Sequence, residues 1–281
     1  NLTHLFPFLY YLSKILRYDI VCICIGGWQI EYFNGSYDGK SHLLQERLCK
    51  KIKAFLPVLK SINNMLIEDF HFTNTVVFPN FREAGIITPP SNDNQETRLV
   101  FMARIQKKKG YPAIFHSAEY IRQNKINATI TFYGQITPED KDDFLSLVSA
   151  HQDIVSYQGP LAPKEIHNTL AQYDAMLLPT TYYTEGFPGS ILDAYIAGIP
   201  VIVTEWKHAH EFVTDGESGF IIPFTNGQDN LNMRIKELYL NKDKLMQMKK
   251  KAKAESSKYT KDRAWEILSR HINRKHESTI K

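Results

Sequence analysis

The chain has 281 residues, and its 34 lysines and arginines against 30 aspartates and glutamates give a formal net charge of +4. With 43% hydrophobic residues and no run of about 18 apolar residues, the composition is that of a globular protein without a membrane-spanning segment, and the opening lacks the features of a signal peptide. Its three cysteines are an odd number, which argues against a disulfide framework, so we expect a reduced, cytoplasmic setting.

The first domain, residues 1–85, is predicted to hold a fragmentary α/β pattern. Apolar periodicity predicts helices at 8–18 and 62–70 and strands at 20–25, 55–59 and 75–78. These are too few strands for a complete Rossmann-like sheet, and the sequence begins with Asn rather than Met. We therefore expect an incomplete domain whose upstream segment is missing from the sequence.

A polar, breaker-rich segment at 86–97, which contains Pro89-Pro90, is predicted to be an interdomain linker.

From residue 98 to residue 257 short apolar runs alternate with helical patterns, and several of these runs are apolar throughout. Continuous apolar strands are typical of a parallel sheet covered on both faces. The predicted strands are 98–103, 128–133, 154–157, 175–178, 200–204 and 219–222. The predicted helices are 111–123, 138–150, 163–172, 189–197, 229–240, 242–256 and 261–273. The last of them belongs to a C-terminal helix segment, 258–281, that we expect to pack on the first domain.

Two basic residues follow the first strand of the second domain. Arg104 and Lys109, the latter before Gly110, are predicted to stand at the carboxyl edge of the sheet, where open parallel sheets bind ligands. A planar guanidinium and a mobile ammonium together suit a diphosphate. By itself the signal is weak, because three lysines before a glycine are more often a solvated loop.

The strand that ends near Pro179 is followed by a loop with Glu185 and a helix predicted to start at Gly189. Backbone N–H groups at a helix start attract anions. Asp193 follows Glu185 by eight residues and lies about one turn into this helix, so the two acids could bind two sets of hydroxyls. An exposed loop acid and a helix-dipole acid are equally good interpretations of the spacing. A third segment, Asp215-Gly216 and Ser218-Gly219, contains turn signals before a strand.

Together these segments resemble the retaining, nucleotide-sugar glycosyltransferases of family four in the sequence-based classification, and in particular members that build bacterial surface polysaccharides. The shared pattern is an Arg with a Lys-Gly five residues later, then E-G-F-P with a second acid eight residues after the first. It continues with A-x-G-x-P-V-I and D-G-x-x-G-x-x-x-P. The matching residues here are Arg104, Lys109-Gly110, Glu185 to Pro188, Asp193, Ala197 to Ile202 and Asp215 to Pro223.

The resemblance implies a GT-B architecture of two Rossmann-like domains with parallel sheets, the first being the acceptor side and the second the donor side. It implies that Arg104 and Lys109 hold the donor diphosphate and that Glu185, the candidate catalytic residue, contacts the transferred sugar. Asp193 would bind the ribose, although it is one methylene shorter than the usual Glu. The remaining donor-binding candidates are Gly134, Gly186, Phe187, Pro188, Gly189 and Ser190; for Gly134 the alternative is an ordinary turn glycine.

No cofactor or metal is expected beyond the nucleotide-diphosphate sugar, because cations and helix N–H groups can stabilise the leaving diphosphate. The D-x-D match, Asp140-Lys141-Asp142, falls in a predicted helix rather than at a strand end. The basic residues from Arg234 to Lys258 are interpreted mainly as a solvated face and secondarily as a surface for anionic lipid. They lack the interleaved aromatics that nucleic-acid binding would need.

We therefore predict transfer of a sugar from a nucleotide-diphosphate sugar to a saccharide or lipid-linked saccharide acceptor, by a cytoplasmic protein that contacts the inner face of the membrane peripherally. Two alternatives remain open at this point. The first is a donor-binding but inactive fragment or regulatory homologue, and the second is a GT-B sugar-nucleotide epimerase.

Overall fold

The structure is a computed structural model that describes residues 5–85, 87–88 and 96–272. It divides the chain into two compact units, one ending at Phe81 and resuming at Tyr259, the other running from Arg82 to Lys258. Most of the predicted linker, residues 86 and 89–95, lies outside the described residues. No described helix has the length and apolar character needed to cross a bilayer.

The first unit has a small parallel sheet with helices around it. Strands β1 (Val21–Cys24) and β2 (Ala54–Pro57) pair in parallel register, with Val21 opposite Ala54. Its helices are α1 (Leu5–Leu16), α2 (Gln29–Phe33), α3 (Leu43–Cys49) and α4 (Lys60–Glu68).

The sequence-based prediction was wrong in two respects in this unit. The predicted strand at 75–78 is reduced to an isolated bridge between Thr75 and Phe55 and a hydrogen bond from Phe78 N–H to Pro57 O. The short helices α2 and α3 were not predicted. They span five and seven residues, below the length at which helical periodicity can be recognised, and they depend on buried neighbours for their stability.

The C-terminal helix α11 (Lys261–Ser269) contributes to the core of the first unit. Ala264 is 1% exposed and packs in one cluster with Ala54 and Leu56 of β2, and with Phe78. Ile267 and Leu268 pack against the same cluster. The side chain of Thr260 accepts a hydrogen bond from the Arg263 N–H and caps the helix start, satisfying one amide that the helix itself cannot.

The second unit is built on a six-stranded parallel sheet. The strands are β3 (Thr97–Met102), β4 (Ala128–Tyr133), β5 (Val155–Tyr157), β6 (Ala175–Leu178), β7 (Val201–Thr204) and β8 (Gly219–Ile222). They lie side by side in the order β5, β4, β3, β6, β7, β8, and every neighbouring pair is parallel. Counted along the unit, this is the order 3-2-1-4-5-6 of a doubly wound Rossmann sheet.

The connecting helices are α5 (Tyr111–Gln123), α6 (Lys141–Ala150), α7 (Ile166–Leu170), α8 (Gly189–Ala197), α9 (Gln228–Leu240) and α10 (Lys242–Glu255). The predicted helices at 138–150 and 163–172 each begin with a short 3₁₀ turn instead, because both start at a proline that follows an extended residue. Aromatic packing between a helix and the sheet fills one core region, where the rings of Phe115 and Phe132 stack with centroids 5.4 Å apart. The parallel α/β fold class is confirmed.

Candidate functional site

The candidate site lies where the winding of the second sheet reverses. Strands β3 and β6 are neighbours, with Leu99 opposite Ala175. After β3 the chain continues to β4 and β5 towards one edge of the sheet, and after β6 it continues to β7 and β8 towards the other edge. The loops after two such strands leave a crevice between them at the carboxyl edge, which is the usual ligand position in open α/β sheets. The predicted site residues Arg104, Lys109 and Glu185 therefore lie after the two strands that form this switch point.

Backbone contacts hold the two loops together. The N–H of Thr181 and the hydroxyl of Thr180 both donate to the carbonyl oxygen of Lys108, at 2.9 and 3.0 Å. Gly110 has a φ of +90°, and a Cβ at this position would overlap the carbonyl oxygen of Pro179. Glycine is thus required at 110 both for the left-handed conformation and for the close approach of the β6 loop.

The structure brings two predicted residues, Lys109 and Glu185, into direct contact. Their side chains form an ion pair across the two loops and are 17% and 13% exposed. With water largely excluded from both groups, their attraction is stronger than that of a surface pair. Arg104 differs, because its side chain is exposed and forms no ion pair with any described residue. One predicted cation is therefore held by an acid of the site, and the other is open to solvent.

Gly134 follows β4 at the same edge of the sheet. Its φ is +138°, and a Cβ here would overlap the carbonyl oxygen of Ala103, the residue before Arg104. Its N–H donates to the carbonyl oxygen of Gly159 at 3.0 Å. The close packing of the β3 and β4 loops explains the glycine.

Helix α8 begins at the candidate site without a side-chain cap. The residue before it is Pro188, which has no side-chain acceptor, and the N–H of Ile191 donates back to the Pro188 carbonyl oxygen at 3.1 Å. Within the described chain, the amides of Gly189 and Ser190 have no hydrogen-bond partner. Such amides and the positive end of the helix form a ready site for an anion.

The segment before α8 is fixed by packing rather than exposed. Gly186, Phe187 and Pro188 are buried, and the Phe187 ring stacks on Phe212 with centroids 4.0 Å apart and planes 2° from parallel. Glu185 is therefore followed directly by a buried, packed segment.

Asp193 lies in α8 and is only 7% exposed. Its Oδ1 is 3.1 Å from Nε2 of His167 and 3.4 Å from Nε of Arg82. Arg82 also lies over the start of α8, because a Cβ at Gly189 would come within 2.5 Å of its guanidinium. Asp193 is thus more than a helix-dipole acid, because it contacts a buried histidine and a partly exposed arginine. Among the described residues, no hydrogen bond or ion pair joins Asp193 to Glu185.

Sequence reasoning missed both His167 and Arg82. His167 lies in a predicted helix without any motif around it, and no local signal could have identified it. Arg82 lies shortly before the predicted linker and is the first residue of the second compact unit. A basic residue shortly before a linker is only a weak signal for such a contact.

The D-x-D match has a structural role in the turn before α6. The carboxylate of Asp140 accepts hydrogen bonds from the N–H of Lys107 at 3.1 Å and from the hydroxyls of Thr137 and Tyr111 at 3.0 and 3.3 Å. In the parts of the chain that the structure describes, no three His, Cys, Asp or Glu side chains are grouped so that they could hold a metal ion.

Known proteins are similar to this chain in sequence and in fold. The chain is 27% identical over 128 residues to the D-inositol 3-phosphate glycosyltransferase of Arthrobacter sp. (strain FB24), a match that covers 44% of this chain and 30% of that protein. It is 24% identical over 220 residues to the amylovoran biosynthesis glycosyltransferase AmsK of Erwinia amylovora, covering 72% of this chain and 53% of that protein. The chain thus spans about half or less of the length of these relatives.

The crystal structure of Anabaena Alr3699/HepE in complex with UDP and glucose superposes with a TM-score of 0.73 at 17% identity, covering 93% of this chain and 73% of that chain. This likeness is consistent with the predicted GT-B fold class. The sequence profile described as glycosyl transferases group 1 matches residues 86–255, which include the whole six-stranded sheet and every candidate site residue except Arg82. The chain belongs to the glycosyl transferases group 1 family.

Proposed function

We propose that this chain carries the donor-binding part of a retaining glycosyltransferase that moves a sugar, a hexose in the simplest case, from a nucleotide-diphosphate sugar to a saccharide or lipid-linked saccharide acceptor. Its family membership supports sugar transfer, and its similarity to AmsK and to the capsular polysaccharide biosynthesis glycosyltransferase CapM of Staphylococcus aureus supports a role in polysaccharide synthesis. UDP is the nucleotide named with the HepE structure, so UDP and its sugars are the first ligands to test.

One observation carries the proposal: cations and unpaired helix amides converge on the switch point between β3 and β6. In this proposal Arg104 and Lys109 bind the diphosphate together with the amides of Gly189 and Ser190. Glu185 contacts the transferred sugar, and Asp193 accepts from the ribose. Gly134 and the packed segment Gly186 to Pro188 border the nucleotide and hold these groups in place.

The chemistry follows from the charges. The bond between the anomeric carbon and the phosphate oxygen breaks, and its electron pair passes to that oxygen while the sugar gains oxocarbenium character. Cations and N–H groups aimed at the phosphate stabilise this charge more in the transition state than in the ground state. The acceptor hydroxyl bonds to the same face of the anomeric carbon and loses its proton to the departing phosphate oxygen. Because protein cations supply the stabilisation, the proposal requires no metal ion.

The acceptor and the compartment belong to the same proposal. A cytoplasmic protein at the inner face of the membrane would meet a lipid-linked acceptor there. The basic surface between Arg234 and Lys258 could contact anionic lipid, although Lys244, Lys249 and Lys251 already pair with acidic side chains, which reduces its net attraction.

Calorimetry in EDTA with UDP, ADP, GDP and CDP tests the donor site. We expect one of these to bind, and we expect Arg104→Ala and Lys109→Ala to weaken its binding by about 1–3 kcal/mol each, the scale of a charge-assisted hydrogen bond. Lys107→Ala is the matched control. Lys107 lies on the same turn but pairs with Asp143 at 3.3 Å, so its removal should leave the affinity unchanged.

The outcomes separate the candidate functions. Equal affinity in the wild type and in both variants would contradict the placement of the diphosphate. Normal binding without release of nucleoside diphosphate from a nucleotide sugar, in the presence of acceptor, would select a donor-binding but inactive homologue. Conversion of the nucleotide sugar, without acceptor, into a nucleotide sugar with a changed sugar would select an epimerase.

A further inference from the structure

His167 is a buried histidine whose two ring nitrogens have different partners. It is 6% exposed, its Nδ1 lies 3.1 Å from the backbone nitrogen of Gly85, and its Nε2 lies 3.1 Å from Oδ1 of Asp193. A backbone amide can only donate, so Nδ1 is the acceptor and the proton of the neutral ring is on Nε2. His167 therefore donates to Asp193, and its tautomer is set by the segment before the linker.

The segment that sets this tautomer is itself attached to α7. Beyond Gly85, the N–H of Thr88 donates to the side-chain oxygen of Asn168 at 2.8 Å, and the side chain of Gln172 donates to the Thr88 carbonyl oxygen at 3.3 Å. The imidazole is thus held between a fixed backbone amide on one side and α8 on the other, and it has little freedom to rotate.

Asp193 has one oxygen in use and one available. Oδ1 accepts from His167 and faces Arg82, whereas no group in the described part of the chain donates to Oδ2. Oδ2 is not one of the fully buried side-chain atoms that lack a partner, so a ligand or water can reach it and donate to it. Arg82 balances the negative charge, so Asp193 is suited to accept a hydrogen bond from a neutral hydroxyl.

We propose that His167 is a positioning residue that fixes the Asp193 carboxylate so that Oδ2 accepts from a ribose hydroxyl, and that the preference of the site for ribonucleotides over 2′-deoxyribonucleotides depends on it. This rests on the proposed function, because it assumes that the nucleotide binds at this edge of the sheet. The Asp193 carboxylate must be held in place because Asp is one methylene shorter than Glu and reaches less far. A small rotation of the carboxylate would break its hydrogen bond to the ribose hydroxyl.

Two substitutions of His167 separate its two hydrogen bonds. In His167→Asn the amide oxygen can replace Nδ1 as the acceptor for Gly85, but no donor reaches Asp193. In His167→Gln the amide nitrogen can replace Nε2 as the donor to Asp193. His151→Asn is the matched control, because His151 is also 6% exposed and its Nδ1 contacts the Leu147 carbonyl oxygen in α6, away from the switch point.

The decisive measurement is the ratio of affinities for a ribonucleoside diphosphate and its 2′-deoxy counterpart, UDP with dUDP first and then the ADP, GDP and CDP pairs. We expect the wild type to prefer the ribonucleotide by about tenfold, the value of one net hydrogen bond. His167→Asn should reduce this preference to within about twofold with little change for the deoxynucleotide. His167→Gln should restore most of it, and His151→Asn should retain all of it.

Each other outcome overturns the proposal in a recognisable way. If His167→Asn weakens both nucleotides equally, the histidine is only structural. If it keeps the full preference, or if the wild type has none, His167 does not position a ribose acceptor, while the proposed function stands. If the wild type binds no nucleoside diphosphate, the proposed function falls as well.

A measurement without any nucleotide checks the geometry independently of folding defects in the variants. The ¹⁵N chemical shifts of the His167 ring in the wild-type protein should show a proton on Nε2 and none on Nδ1. A protonated Nδ1 would contradict the hydrogen bond from Gly85 and, with it, the donation to Asp193 on which the proposal depends.

Discussion

At the scale of single residues, the main feature is that an acid and a base of the candidate site neutralise each other. Lys109 and Glu185 are 76 residues apart in sequence and form a partly buried ion pair. A diphosphate that approaches Lys109 must compete with Glu185 for the same ammonium group. The pair therefore keeps both side chains ordered before the donor arrives, at some expense in affinity for a free nucleotide.

This competition leads to a prediction for Glu185→Gln. Loss of the carboxylate charge frees Lys109, so affinity for a free nucleoside diphosphate should stay the same or improve by up to about 1 kcal/mol, roughly fivefold. Release of nucleoside diphosphate from the nucleotide sugar should fall by about 100-fold or more, because Glu185 is proposed to contact the sugar.

Calorimetry and a donor-turnover assay on the same preparations measure both quantities. Glu139→Gln, at an exposed acid of the second unit, serves as the control and should change neither. If Glu185→Gln loses nucleotide affinity as severely as it loses turnover, the role assigned to Glu185 is wrong.

At the scale of elements, α8 carries much of the candidate site and is anchored at several points. Its start presents the free amides after Pro188, and its end at Gly198 has a φ of +78°, the left-handed conformation that terminates helices. Between them the Tyr195 side chain is fully buried, and its hydroxyl donates to the Phe212 carbonyl oxygen at 2.8 Å and lies 3.1 Å from Ser218 Oγ. The helix is thereby tied to the turn before β8.

We predict that Tyr195→Phe lowers the free energy of unfolding by about 1–3 kcal/mol, because it leaves a buried carbonyl oxygen without this donor. Urea denaturation measures the loss. Tyr239→Phe is the control, since the structure gives that hydroxyl no partner within the described chain, and it should cost less than about 0.5 kcal/mol.

A double-mutant cycle with Ser218→Ala extends the test. The two losses should combine to less than their sum, because both substitutions break one shared network. Additive losses would show that the two hydroxyls do not interact.

At the scale of the whole molecule, the chain forms two compact units, and its last described helix returns to the first of them. Strand β2 and helix α11 are far apart in sequence, yet Ala54, Leu56 and Ala264 share one cluster. The first unit thus depends on chain segments that flank the second unit on both sides.

Ala264→Asp tests this dependence. Burial of a carboxylate at a position only 1% exposed should destabilise the first unit by about 2–4 kcal/mol. The affinity for a nucleoside diphosphate under native conditions should be unchanged, because every neighbour of Ala264 in its cluster belongs to the first unit.

Chemical denaturation and calorimetry provide the two measurements. The adjacent exposed position supplies the control, Arg263→Asp, which should stay within about 0.5 kcal/mol of the wild type. A large loss in nucleotide affinity for Ala264→Asp alone would contradict the assignment of α11 to the first unit only.

The sequence alone was sufficient to predict the main strands and helices of the second unit and to identify the family. Strands such as β4 and β6 are short apolar or β-branched runs between helical patterns, and burial in a parallel sheet demands that composition locally. The spacing of Arg104, Lys109, Glu185 and Asp193 was also readable, because it is a property of sequence order. In the first unit the same reasoning failed for 75–78, α2 and α3, where the outcome depends on neighbouring segments rather than on local periodicity.

Only the tertiary structure decided which side chains meet. Lys109 with Glu185, and His167 and Arg82 with Asp193, are contacts between residues on different loops and helices, and no periodicity or motif connects them. The same holds for Gly110 and Gly134, because a Cβ there would overlap carbonyl oxygens of loops that follow other strands, those of Pro179 and Ala103. The local sequence pattern depends on burial and backbone preference, which can be recognised within a single segment. A contact instead requires two segments, and the winding of the whole sheet determines whether they lie close together.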